Sequence, residues 1–178
     1  MRFKISGTNY QLANTIRRTM ISAVECFAID SVTMYENSSA IFDEYIAHRV
    51  GLVPLKTPSD YTEKDEVMFS LNVEGPATAY SKDLKSNDNA VVVANGNIPI
   101  IKLAEGQKVR LEGKAILRSS SARSSKFQPG LITYKPLNDT DFEFYIETFG
   151  QMTPMEILNR ALSIINSHLK EVYKELKK

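Results

Sequence analysis

Apolar residues recur along this chain in two rhythms, and the change from one to the other marks how it is organised. In residues 12–24, LANTIRRTMISAV, a projection at about 100° per residue puts Leu12, Ala13, Ile16, Met20, Ala23 and Val24 on one stripe, with Thr19 at its edge. That is a helix with a core-facing side. Asn14, Arg18, Ser22 and Glu25 fall opposite, Arg17 borders the stripe, and Ile21 stands among the polar residues, so the outer face is incompletely polar. Two readings follow. The arginines are solvated while their stems cover apolar neighbours, or the helix is buried twice and its arginines pair with carboxylates of another chain.

A second helix is predicted over 41–51, IFDEYIAHRVG, with acidic residues in its first turns, Gly51 at its end and Pro54 just beyond. Phe42, Tyr45, Ile46 and Val50 line one side of it, and Arg49 falls among them. Short strands are predicted over 2–7, RFKISG, and over 27–36, FAIDSVTMYE, which is rich in β-branched and aromatic residues.

From Pro54 to about residue 140 the helical period disappears. The β-like runs VMFSLNV, TAYS, AVVVA, IPIIKL and KVRLEGKAIL are separated by turn residues, and Asn95-Gly96 between two of them signals a hairpin. Residues 54–141 therefore read as a β-rich insert. The polar stretch 118–126, RSSSARSSK, reads as a mobile, solvated loop within it.

Regular patterning then returns. Phe142, Phe144 and Ile146 alternate with Glu143, Tyr145 and Glu147, a strand with one face to a core. Thr153, Pro154 and Glu156 form a helix start of the capping-box type. The helix that follows, to about Leu176, carries Leu158, Leu162, Ile165, Leu169, Val172 and Leu176 at alternating spacings of four and three, a heptad seam. A second row, Ile157, Ala161 and Ile164, runs beside it. The apolar arc is wider than one sheet face requires, which fits either a deeply buried helix or one shared with a partner chain. The fold class is α+β, with residues 1–53 and 142–178 as one interrupted domain and 54–141 as its insert.

Charge and chemistry narrow the function. Lys plus Arg number 22 against 21 for Asp plus Glu in 178 residues, a net charge of +1 that gives little attraction to a nucleic-acid backbone. The single cysteine, Cys26, rules out internal disulfides and any multi-cysteine metal site, and its apolar neighbours mark it as inert. His48 and His168 lie on different predicted helices, as ordinary helix positions. Phosphate-cradling glycine loops, HExxH, GxSxG and clustered metal-binding carboxylates are all missing. No apolar run reaches membrane-spanning length, and MRFKISG is not a signal peptide, so a cytoplasmic protein is expected. The expected chain is non-catalytic, without cofactor or metal. An autonomous nucleic-acid-binding module using the serine- and arginine-containing loop is the alternative.

Three blocks, NTIRRTM at 14–20, DEYIAHRVGLVPL at 43–55 and ARSSKFQPGLITYKP at 122–136, in this order and with this interrupted layout, resemble the D subunits of archaeal RNA polymerases, relatives of the amino-terminal domain of bacterial alpha. The resemblance implies a non-catalytic scaffold. Its split dimerisation domain, an antiparallel sheet packed on two or three helices, would pair with the polymerase L subunit, and the pair would recruit the small N and P subunits and then the large catalytic subunits. It makes Arg17 and Arg18 candidates for docking to a large subunit, with Arg49 as an additional one. It places the dimer contact on Leu158, Leu162, Ile165, Leu169, Val172 and Leu176, and a contact with the small subunits on Arg123, Lys126 and Phe127. Two departures from the family stand out. The iron-sulfur module that many family members carry is missing between YKP and DFEFY, and the strand that usually precedes the first one is not found before MRFKISG.

Overall fold

In the computed structural model, which describes residues 1–177, the alternation around Phe144 becomes β9, Phe142–Thr148, the centre of a three-stranded antiparallel sheet. β1, Arg2–Ile5, and β8, Gly130–Pro136, flank it in the order β1-β9-β8. The register sets Phe3, Phe144 and Tyr134 side by side across the three strands. Phe3 stacks on Phe144 at 5.2 Å between ring centroids, and Tyr10 meets Phe142 edge-on at 5.1 Å. Aromatic residues thus form one face of the sheet, where offset and edge contacts add to plain burial.

Two helices cover that face. α1, Tyr10–Ser22, starts at Asn9, whose Oδ1 accepts from the Leu12 N–H at 2.9 Å. α3, Pro154–Leu176, starts at Thr153 with the reciprocal bonds to Glu156 that its sequence signals. α1 packs on both α3 and β8. Ala13, Ile16, Met20, Phe127, Ile132, Ile157 and Ala161 are buried with the inner residues of β9.

The opposite face of the sheet is a polar ladder. Lys4 pairs with Asp141 at 2.7 Å, Lys135 with Glu143 at 2.9 Å, and the Arg2 guanidinium lies 5.6 Å from the Tyr145 ring centroid. The Lys4 bond, with a second from Asn138, holds the Asp141 carboxyl below its ordinary range. A carboxyl lowered by folding stabilises the native state above the ordinary aspartate pKa, and that contribution disappears as pH falls through the lowered value. Lys4→Met should therefore raise the Asp141 pKa and flatten this part of the acid dependence, as an NMR titration of the Asp141 carboxyl would show.

The other strands belong to a second unit. β2, Glu25–Asn37, β7, Lys108–Ser119, β3, Glu66–Glu74, and the two-residue β5, Lys85–Ser86, form a sheet in that order; β4, Ala77–Tyr80, pairs with β6, Pro99–Leu103. α2, Asp43–Gly51, sends Ile46 and Val50 into one core with Phe69, Leu71 and Leu111.

The units divide the chain differently from the sequence boundaries at 53/54 and 141/142. Residues 1–25 and the chain from 119 onward form one unit, and residues 26–118 the other. β2 and α2 go with the insert because β2 pairs with β7 and α2 fills the insert core. β8 goes with the outer segments because it pairs with β9 over its whole length.

Several local expectations are corrected. AVVVA forms no strand: Val91 is fully buried as a plug, and Val93 makes an isolated bridge to Leu55. Asn95-Gly96 makes no hairpin, because the buried Ser81 donates to the Asn95 carbonyl at 2.5 Å and accepts from the Ile98 N–H, tying the turn to its own unit. Phe42 and Tyr45 do not line the core with Ile46; they are 81% and 54% exposed. Leu12 likewise leaves the buried stripe of α1 and is exposed. The 118–126 stretch is pinned rather than solvated along its length: the Ser121 N–H donates to the Ser22 carbonyl, and a 3-10 turn at Ser125–Phe127 carries Phe127 into the core.

Candidate subunit interfaces

The two apolar rows of α3 have different fates. Ile157 and Ala161 are fully buried, and Ile164, Leu158 and Ile165 are half-buried. Leu162, Leu169, Val172 and Leu176 are 43%, 63%, 56% and 81% exposed, and every described residue from Asn166 onward is exposed. At a rise of about 1.5 Å per residue the helix is roughly 34 Å long, and only its first half lies on its own unit. Its second half carries a leucine and valine seam into solvent, joined by Tyr173 at 59% exposure. Isolated surface leucines need no explanation, whereas a contiguous apolar row is the mark of a surface meant to be covered.

On α1 the buried residues Ala13, Ile16 and Met20 face away from Arg18, which is exposed and whose guanidinium meets no acceptor among the described residues. Arg17 is half-buried, and its Nη2 and Nε donate to Asn14 Oδ1 at 2.9 and 3.3 Å. A neutral amide orients that guanidinium but does not neutralise it. Among the described residues neither charge is neutralised, and Arg17 keeps the donors that Asn14 does not occupy.

Arg49 is held differently. Its Nη2 donates to the Pro99 carbonyl, clasping α2 to β6, and its Cζ lies 5.9 Å from the Tyr45 ring centroid, while Nε is buried without an acceptor. Of the expected contacts with the small subunits, Arg123 is exposed and Lys126 half-buried with Nζ 5.5 Å from the Phe127 ring centroid. Phe127 itself has no exposed surface to give a partner and anchors the turn. A lone aromatic inside a polar run is the signal that marks it as an anchor.

No group of three or more His, Cys, Asp or Glu among the described residues could hold a metal ion. Cys26 is buried, and one thiol does not fit the ligand set of an iron-sulfur cluster.

Beside this two-helix, one-sheet unit, α3 leaves an apolar seam open. The family described as the RNA polymerase Rpb3/Rpb11 dimerisation domain matches residues 2–169. The chain belongs to that family. It is 44% identical over 164 residues to DNA-directed RNA polymerase subunit Rpo3 of Methanocaldococcus jannaschii, covering 92% of this chain and 84% of that one. It is 46% identical over 144 residues to the Rpo3 of Thermococcus kodakarensis, and 49% identical over 116 residues to that of Natronomonas pharaonis. These matches cover 77% and 65% of this chain, and only 55% and 47% of the longer relatives. The family is one of dimerisation, so the exposed seam of α3 and the unneutralised arginines of α1 are the surfaces to interpret.

Proposed function

We propose that this chain is a non-catalytic assembly subunit of an archaeal DNA-directed RNA polymerase, in the place that the D subunits of the family hold. The observation that carries the reading is the division of α3: one apolar row completes its own unit, and the seam through Leu158, Leu162, Ile165, Leu169, Val172 and Leu176 runs increasingly into solvent. The proposed occupant is the like-folded L subunit. The heterodimer is then the platform for the small N and P subunits, with Arg123 and Lys126 on their side, and for the large catalytic subunits. Arg17 and Arg18 dock a large subunit, and Arg49 contributes from the second unit. The chain acts in the cytoplasm in a form without the iron-sulfur module; no described helix is long and apolar enough to cross a membrane.

Copurification from the native cell, with partners identified by mass, tests the whole reading; a chain recovered free of polymerase subunits would overturn it. The arginines have a sharper test. Because Arg18 is exposed and Arg17 bonds only to its own helix, R17A/R18A should leave folding and pairing with L intact. Loss of one partner from a desolvated charge pair costs about 2 to 5 kcal/mol at an interface, so capture of the large subunit should weaken by at least about thirtyfold. Wild-type capture by the double variant would remove the docking role.

A further inference from the structure

The serine-rich stretch 118–126 holds chemistry that subunit assembly leaves unused. Residues 121–125 are all exposed and run between two anchors, the Ser121 N–H on the Ser22 carbonyl at 2.9 Å and the buried Phe127. They form a short arch, fixed at both ends and open along its crest. The hydroxyls of the stretch are not equivalent. Ser120 is half-buried, Ser119 and Ser121 share a hydrogen bond at 3.3 Å, and Ser125 lies inside the 3-10 turn. Ser124 is exposed, its backbone is fully extended at φ −167° and ψ 166°, and its side chain makes no bond to the turn that follows it. Arg123 stands just before it and Lys126 two positions after, and no carboxylate occurs from 119 to 126.

We propose that Ser124 is a phosphorylation site, modified by a serine kinase with an acidic substrate groove before the chain enters the polymerase. An acceptor backbone that is already extended lies along such a groove without a further ordering cost. The cations on either side favour a groove lined by carboxylates. In the step, Ser124 Oγ attacks the γ-phosphorus of the nucleoside triphosphate that the kinase supplies. The new O–P bond forms as the bond to the β,γ-bridging oxygen breaks, the nucleoside diphosphate leaves, and the hydroxyl proton passes to the base of the kinase. The product carries a charge of about −1.5 to −2 at pH 7 on an arch that had only cations. Ser124 is exposed, so the core of its unit is untouched. A dianion next to Arg123 competes for its guanidinium and offsets the positive charge that Arg123 and Lys126 would present to the small subunits. Phosphorylation therefore holds back capture of the small subunits and leaves the α3 seam alone. The effect on assembly rests on the function proposed above, whereas the site itself rests on the geometry of the arch, which lies wholly within one unit.

The first measurement is peptide mass spectrometry of the chain from native cells lysed with phosphatase inhibitors, taken separately from the assembled polymerase and from the pool not yet assembled. Phosphate should map to Ser124, with occupancy at least about tenfold lower in the polymerase. Ser124 without phosphate in both pools, or phosphate on Ser121 or Ser125 alone, would overturn the site. Equal occupancy in the two pools would overturn the effect on assembly. The second measurement uses the full recombinant chain paired with L, carrying genetically encoded phosphoserine at position 124, with the small N and P subunits as probes. Their affinity should fall about tenfold at low salt, and the loss should shrink above about 0.5 M salt, as screening of exposed charges requires. Pairing with L and thermal stability should stay unchanged, and Ser124→Ala should bind N and P as the unmodified chain does. Undiminished affinity of the phosphorylated chain would contradict the regulation. Failure of the unmodified chain to bind N or P would count against the assembly reading instead, and the mass spectrum would still decide the site.

Discussion

Replacing Leu162 and Leu169 by aspartate should leave the isolated chain folded and abolish its pairing with the L subunit. Leu169 is 63% exposed and Leu162 43%, so the two changes remove little packing from the chain's own unit compared with a change at a fully buried position. In the proposed dimer both are covered, and each aspartate then becomes an unpaired charge taken out of water, at several kcal/mol each. A combined loss of about 5 kcal/mol lowers affinity by more than a thousandfold, roughly. Circular dichroism of the variant and its recovery with tagged L from co-expressing cells are the two measurements. The contrast variant is Ile157→Asp. That residue lies five positions before Leu162 and is fully buried, so its aspartate should unfold the dimerisation unit before pairing is tested. If L162D/L169D still copurifies with L in equal amounts, the seam is not the dimer contact.

Helical spacing reveals the two rows of α3 but not which one faces inward. Both share the period, and period alone carries no information about the distance to the next layer. The sheet decides: α3 meets α1 and β9 only along its first turns, so Ile157 and Ala161 are covered and the later leucines are not. The capping box at Thr153 and the alternation of β9 are legible because each is a local device whose geometry is complete within a few residues. The unit boundary is not legible for the opposite reason. In the chain β2 follows α1 and so reads with the outer domain, yet its partner β7 lies some eighty positions on. Strand pairing over such a separation leaves no trace in local periodicity.

Exposed aromatics mislead in a related way. Phe42 and Tyr45 have the spacing of core residues, and the sequence places them beside Ile46; their exposure shows that apolar spacing reports a face to be buried without saying whether its own unit buries it. The same ambiguity runs through α1, where Arg17 borders an apolar stripe. There the structure separates a side that is packed from a pair of charges that is not neutralised.

Gly130→Ala should be among the most damaging single-methyl changes in the chain, although Gly130 sits in ordinary extended strand. A Cβ at this position would lie 2.3 Å from the Glu147 carbonyl oxygen and 2.9 Å from the Thr148 Cα. Both are backbone atoms of β9, the central strand, so no rotamer change can relieve the contact and β8 must move away. Overpacking costs about 1 to 3 kcal/mol where neighbours give way; against fixed backbone the upper end is expected. Gly106 supplies the comparison. It has φ +75° with nothing within 4 Å of an added Cβ, so Gly106→Ala incurs only the left-handed backbone penalty of about 1 to 2 kcal/mol. Denaturant midpoints of the two variants should fall in that order, and amide exchange in Gly130→Ala should rise at the β8–β9 pairs, Ile132 with Ile146 first. The consequence reaches function through α1, which packs on β8 and carries Arg17 and Arg18. Capture of the large subunit should therefore weaken in Gly130→Ala even though both arginines are present. Wild-type stability and exchange in that variant would show that β8 and β9 do not approach as closely as this register requires.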